Sequence, residues 1–268
     1  MGRATGMVIL IAALTVSGGV VHADGLTIYD VQYTIDPSGD SDFNGQIHSV
    51  TGGIVTKIFQ GSRPRVYLQN PEYATWGAIV VKDWEGGELA NNVHVGDWVR
   101  LSNVLVEEYR GGTHLQYNRD WAPDVAFSID SSDNDLPTPA ALTAADLAVP
   151  VDHAASEPYE SMLARLENVT VGTLGWGKAE DNYELTQGDD VAWGTDYMNI
   201  DAGGPYDPHI YFGAYLDSIT GIVEQYTKPE DGWDYFQLCT RDADDIVPEP
   251  GTAVLLLVSL AFTRRRTA

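Results

Sequence analysis

The sequence predicts an all-β protein: two small five-stranded Greek-key barrels in tandem, preceded by a helical export segment and followed by a hydrophobic C-terminal helix. Three observations carry that expectation. Short runs of alternating apolar and polar residues recur between glycine-rich turns. With 27 Gly, 14 Tyr and 7 Trp in 268 residues, 44% of them hydrophobic, the composition favours short strands around a real core over long helices. A stretch rich in Ser, Asp, Pro and Ala, Ser131–Ala145 (SSDNDLPTPAALTAA), divides the body into similar halves.

Residues 1–23 have the order of a signal peptide: Arg3, the apolar run Met7–Val16, then small residues ending in Val21-His22-Ala23, with cleavage expected after Ala23. The first barrel is expected within residues 24–135. Leu26–Ile35 alternates and reads as a strand. Ile47–Phe59 reads as a long strand kinked at Gly52-Gly53, with short strands at Arg65–Gln69 and Ala78–Val81. A turn at Val95-Gly96-Asp97 launches Val104–Tyr109, and Gly111-Gly112 turns the chain into Thr113–Tyr117. A long bent strand and a glycine-rich turn before the last strand describe a closed barrel.

The second barrel is expected within residues 136–247, after a short linker helix, Leu142–Leu147. Its strands are Met162–Thr173, Asn182–Gln187, Leu216–Tyr226 and Trp233–Thr240, and Asp189–Tyr211 reads as an irregular insert. The single cysteine, Cys239, falls in the last strand and excludes an intrachain disulfide framework.

Residues 248–268 form a tripartite tail. Pro248-Glu249-Pro250 breaks regular structure and exposes Glu249. Ala253–Phe262 is apolar but reaches only about 15 Å as a helix, half of a hydrocarbon core of about 30 Å. Arg264, Arg265 and Arg266 then hold the end on the cytoplasmic side. This pattern resembles the PEP-CTERM sorting signal. The resemblance implies processing by signal peptidase and an exosortase-type membrane protease, transient inner-membrane anchoring, and residence in a cell envelope or outside it.

The stretches TIYDVQYTIDPSGDSDFNGQ, VTGGIVTKIF, VYLQNP, VHVGDWVRLSNVLVEEYRGGTHLQ, YESMLARLENVTV and DSITGIVEQY resemble the tandem OB-fold modules of secreted bacterial proteins, including those beside the nuclease domain of extracellular endonucleases. The resemblance runs from about Leu26 to Val247 and its motifs are structural. It implies two OB-like barrels. In the nuclease relatives the catalytic domain is a separate unit, for which this sequence has no room.

Chemistry-bearing motifs are scarce, and the chain is expected to be noncatalytic. Six histidines are scattered without H-x-H or H-E-x-x-H spacing, and no nucleophile elbow, phosphate loop or dinucleotide fingerprint occurs. Paired acids such as Asp189-Asp190 carry little information in a chain with 39 acidic residues. No cofactor is expected, save that Asp36, Asp40, Asp42 and Asn44 include D-x-D-x-N-G, the opening of a calcium loop. Position twelve from Asp40 is Thr51 instead of the bidentate Glu, so a plain turn is the competing reading.

OB barrels take ligands across the strands between two loops, the first joining strands one and two and the second joining strands four and five. On the resemblance, these loops span Phe59–Arg65 and Glu107–His114. They offer Phe59, Arg63, Arg65 and Tyr67 on one side and Tyr109, Arg110 and His114 on the other, expected on one exposed side of the first barrel. Rings there suit bases and sugars alike. Setting aside Arg3, Arg264, Arg265, Arg266 and Glu249 removes four of 15 basic and one of 39 acidic residues, leaving 11 against 38. Such a body repels a polyanion and disfavours sequence-blind nucleic-acid binding. Two readings follow: an exported envelope or matrix protein that binds polysaccharide or protein, or an extracellular nucleic-acid-binding module, accessory to a nuclease.

Overall fold

The computed structural model describes residues 25–148, 150–176, 182–198 and 207–249. The first barrel contains β1 (Ile47–Phe59), β2 (Arg65–Gln69), β3 (Ala78–Asp83), β4 (Trp98–Tyr109) and β5 (Gly112–Tyr117). They lie in the order β1-β2-β3-β5-β4, with β3 and β5 parallel and β4 returning to β1. Closure depends on the bend in β1. Its first half, Ile47–Ile54, pairs with β4, and its second half, Ile54–Phe59, pairs with β2. At the bend Gly52 has φ +81°, and a Cβ there would lie 1.7 Å from the carbonyl oxygen of Val99. Only glycine permits that approach.

Leu26–Ile35 is not a strand. Leu26 makes one bridge to Val50, and the chain then coils into helix α1 (Ile28–Gln32). Thr27 and Asp30 form a capping box, with Thr27 N donating to Asp30 Oδ2 at 2.8 Å and Asp30 N to Thr27 Oγ1 at 3.1 Å. Ile28 and Val31, one helical turn apart, are both buried in the barrel core. Helix α2 (Glu88–Asn92) buries Leu89 and Ala90 in the same core, between β3 and β4. Strand β6 (Ala126–Ser131), not expected from the sequence, pairs antiparallel with β4.

The second barrel repeats the order. Beyond β7 (Ala140–Leu142), which pairs in parallel with β8 (Leu163–Trp176), come β9 (Asn182–Gln187), β10 (Asp190–Thr195), β11 (Tyr215–Lys228) and β12 (Trp233–Cys239). They run β8-β9-β10-β12-β11, with β10 and β12 parallel and β11 returning to β8. Strand β10 lies inside the segment expected to be irregular. It hairpins from β9 at Gly188, and the ring of Tyr183 covers Gly194 across the pair. The expected linker helix is a β7 strand followed by a 3-10 turn, Ala144–Leu147, boxed by Thr143 and Asp146. Helix α3 (His153–Ser156) leads into β8 through the 3-10 turn Glu157–Tyr159.

Pro248 does not break structure: it ends a short edge strand, β13 (Ile246–Pro248), paired with β11, where proline has no ladder hydrogen bond to lose. Glu249 beyond it is exposed. Ala23, Pro250 and Arg264–Arg266 lie outside the described residues, as do the two terminal segments they belong to.

Two cores result, one of residues between Ile28 and Val125 and one of residues between Leu142 and Ile246. A third cluster joins them. Tyr67 and Val80 of the first barrel pack against Leu163, Met198, Ile222 and Cys239 of the second. Burying each large side chain there contributes roughly 1.5–3 kcal/mol, so the barrels are held by more than their linker.

Candidate ligand-binding cleft between the barrels

Beside this apolar seam the barrels leave a cleft of about 490 Å³. One wall comes from the first barrel: Phe59, Arg63, Arg65, Lys82, Tyr109, Arg110 and His114. The other comes from the second: Glu160, Tyr197, Glu224, Tyr226, Tyr235 and Gln237, with Asn182 and Gln225. Strand alternation sets both. Lys82 follows Val80 and Arg65 precedes Tyr67 on the outer faces of β3 and β2, while Glu224 and Tyr226 follow Ile222 on β11.

Glu224 ties the walls together. Its Oε1 accepts from Arg65 Nη1 at 3.0 Å and from the Tyr67 hydroxyl, and its Oε2 accepts from the Tyr197 hydroxyl at 2.6 Å. Arg65 lies over the rings of Phe59 and Tyr197, 4.6 and 5.4 Å from their centroids. Burial opposes its charge, but Tyr197, Tyr67 and Glu224 outweigh that and raise its pKa. Burial raises the Tyr67 and Tyr197 hydroxyls well above their usual range. At the rim, Arg110 Nη1 donates to Glu230 Oε1 at 2.9 Å, and the Arg110 carbonyl accepts from Thr227 N at 2.7 Å.

Two of the four cations of the cleft, Lys82 and Arg63, make no ion pair among the described residues, whereas Arg65 and Arg110 are paired with Glu224 and Glu230. Burial lowers the Lys82 pKa to about 8, with Arg65 and Arg63 pushing the same way against Glu107 and Glu224. Lys82 Nζ rests 3.8 Å from the Tyr109 centroid and makes no ion pair among the described residues. His114 is pushed well below its ordinary pKa, first by burial and then by Lys82 and Arg65, and its buried Nδ1 has no hydrogen-bond partner among the described residues. Arg63 is exposed and stacks on Trp84 at 4.7 Å. Glu160 relieves little of this, because burial, Glu157 and Glu108 raise its pKa well above the carboxylate range.

Six of the seven residues expected to bind ligand therefore share one cavity: Phe59, Arg63, Arg65, Tyr109, Arg110 and His114. Tyr67 does not reach it and is wholly buried beneath. The face is not an open side of the first barrel either, because the second barrel roofs it and Arg65 is spent on the seam. Sequence reasoning missed Lys82 and the entire second wall. The alternation of Ile222, Glu224 and Tyr226 marks an outer face of β11 and was the available signal.

The acidic stretch does not assemble a calcium loop. Asp36 Oδ1 accepts from Ser38 N and Ser38 Oγ, both at 2.9 Å, which lowers its pKa. Asn44 Oδ1 accepts from Glu108 N at 3.3 Å. Asp40 and Asp42 complete no ligand set with them, and among the described residues no three acidic, His or Cys groups gather to hold a metal ion. The segment is a turn, with Gly39 N donating to Asp36 O at 3.0 Å.

No protein-family model matches the chain, and no curated protein matches it. Among solved structures, the chain is similar to the OB domain of a Methanosarcina mazei protein at 19% identity, covering 40% of this chain and 86% of that one, with a TM-score of 0.29. It is similar to Schizosaccharomyces pombe Pot1pC bound to ssDNA at 13% identity, covering 38% and 85%, with a TM-score of 0.29. A murine DNA-binding protein bound with double-stranded DNA matches at 11% identity over 72% and 93%, with a TM-score of 0.32. Each barrel here is an OB fold. That statement rests on the strand order β1-β2-β3-β5-β4, repeated in β8-β9-β10-β12-β11.

Proposed function

We propose that the chain is a noncatalytic binding protein that holds single-stranded nucleic acid in the cleft between its barrels. The observation that carries this reading is the composition of the first wall. Arg63, Arg65, Lys82 and Arg110 are four of the eleven basic residues of the body, and they meet Phe59, Tyr109, Tyr197, Tyr226 and Tyr235 in one cavity. Aromatic faces stack on bases of any sequence, and guanidinium and ammonium groups pair with the phosphates between them. Lys82 and Arg63 make no ion pair among the described residues, and an anion seated beside them would supply one. The remaining acidic surface then limits contact to the cleft and the surface next to its cations.

Fluorescence titration with an oligothymidylate at several salt concentrations tests the reading. With about three phosphates engaged, log K should fall against log[salt] with a slope of about −2. Lys82→Ala should weaken binding about tenfold. Binding of a neutral glycan at the same cleft, with no binding of the oligonucleotide, would favour the second reading, an envelope or matrix protein that holds polysaccharide. The ring faces of Tyr226 and Tyr235 and the acid excess of the body speak for that alternative.

We further propose that the protein is exported and sorted, on the signal-peptide order of residues 1–23 and the Pro248-Glu249-Pro250, apolar and arginine pattern of residues 248–268. Intact-mass measurement of protein recovered from its native envelope tests this. Loss of both terminal segments is expected, and retention of Arg264–Arg266 would rule out the sorting step.

A further inference from the structure

Two partly exposed indoles lie next to the cleft. Trp84, just beyond β3, is 37% exposed, and Trp121, in the turn after β5, is 45% exposed. Their centroids are 5.7 Å apart at 61°, and the guanidinium of Arg63 lies 4.7 Å from the Trp84 centroid. Arg63 also lines the cleft, so cleft, guanidinium and two indoles form one continuous path. Neither tryptophan belongs to a hydrophobic core cluster.

Both rings are held in place. Trp84 N donates to Tyr117 O at 2.9 Å, and its indole N–H donates to Gln116 Oε1. The turn carrying Trp121 is closed by Ala122 N to Asn118 O at 2.9 Å and by Asp120 N to Asn118 Oδ1 at 2.8 Å. Of the acids around the two indoles, Glu85 and Glu88 share Arg119, which donates to Glu85 Oε2 at 3.1 Å and to Glu88 Oε1 at 2.9 Å, while exposed Asp120 and Asp124 make no ion pair among the described residues. Indoles fixed beside a guanidinium that makes no ion pair among the described residues suit bases that follow one another along a strand, with Arg63 moving from the Trp84 ring to a phosphate.

We propose that Trp84 and Trp121 form a stacking platform for the nucleotides that leave the cleft past Arg63. The proposal rests on the nucleic-acid reading of the cleft and adds the direction of the strand to it. A strand confined to the cleft ignores the platform, whereas a longer one gains from it.

Tryptophan quenching and affinity, read with oligothymidylates of about four and about ten nucleotides, test this. The longer strand should bind the wild-type protein more tightly and quench more. In Trp121→Ala, a change at an exposed turn, that advantage should shrink about tenfold. Trp121→Phe should keep most of it, because a ring remains. A length advantage unchanged in Trp121→Ala overturns the platform and leaves the cleft reading standing. Failure of both lengths to bind the wild-type protein overturns both. Quenching of Trp121 by a neutral oligosaccharide and not by either oligonucleotide assigns the indoles to a glycan and overturns the proposal.

Discussion

The two walls of the cleft come from barrels of the same strand order, yet they have opposite chemistry. The first barrel supplies Arg63, Arg65, Lys82 and Arg110, and the second supplies tyrosines, amides and the carboxylate of Glu224. A shared fold therefore says nothing about which residues its outer strands present. The difference lies in a few alternating positions: Arg65 and Lys82 on β2 and β3, against Glu224 and Tyr226 on β11. One pair, Arg65 and Glu224, joins the walls, so one cation of the first wall serves structure before it serves any ligand.

The largest expected effect is loss of that junction. Glu224→Ala leaves Arg65, its side chain 23% exposed, without its carboxylate, and also leaves the Tyr67 and Tyr197 hydroxyls without theirs. An uncompensated, largely buried charge costs on the order of 3 kcal/mol, and denaturant melts should show that loss. The double variant Arg65→Met with Glu224→Leu should recover much of it, since apolar groups of similar volume fill the seam. If Glu224→Ala melts like the wild-type protein, the walls are joined by the apolar seam alone.

Much of this was legible in the sequence, and the limits have physical causes. The bent β1 was readable because Gly52-Gly53 interrupts an otherwise regular apolar run. Leu26–Ile35 misled because Leu26 and Ile28, then Val31, Tyr33 and Ile35, alternate in two short runs; Ile28 and Val31, three apart, share a face only in a helix, and the Thr27–Asp30 box decides for it. Strand β10 hid because it opens with Asp190 and holds Gly194, whose missing side chain is replaced by the Tyr183 ring. The roof over the first barrel had a signal. Val66, Tyr67, Leu68 and Ile79, Val80, Val81 are continuous apolar runs, as expected of strands buried on both faces. No single-strand pattern, however, names the partner that covers the second face.

A second region of the seam responds to pH, with an intermediate effect. Burial raises the pKa of Glu108 of the first barrel and of Glu157 and Glu160 of the second; Glu108 raises Glu157 further, and Glu157 and Glu108 raise Glu160 further. Glu157 accepts from His153 Nδ1 at 3.2 Å, and His153 Nε2 lies 3.1 Å from Asp234, with Gln225 beside them. Burial carries Glu157 from 4.5 to about 7. Between those values the folded state binds more protons than the unfolded one. The contribution of Glu157 to stability is therefore full below about pH 4.5 and is lost as pH rises through 7, by on the order of 3 kcal/mol. His153 acts in the same direction. Burial opposes its charge, but Asp234 and Glu157 raise its pKa, so its contribution too is lost as pH rises. Thermal melts should fall by roughly 5 °C between pH 5 and pH 8, and Glu157→Gln should flatten the slope. A melting temperature that rises across this window would mean that the carboxyls are not shielded by the two barrels as described.

The smallest expected effect asks whether the asymmetry of the walls governs binding. Arg110 belongs to the cationic wall, but its Nη1 is engaged by Glu230 of the opposite barrel at 2.9 Å, with Glu230 60% exposed. An exposed pair of this kind is screened by water and salt, so Glu230→Gln should leave the melting temperature unchanged. For an anionic ligand the same change does two things in one direction: it frees the Arg110 guanidinium to face the cleft, and it removes a negative charge from the rim. Affinity for an oligothymidylate should rise about twofold at low salt, and the gain should vanish at high salt, where rim charges are screened. A neutral glycan should bind the variant and the wild-type protein alike. If the oligonucleotide also binds both equally at low salt, the cationic wall is not what draws the ligand, and the rings of the second wall become the better place to look.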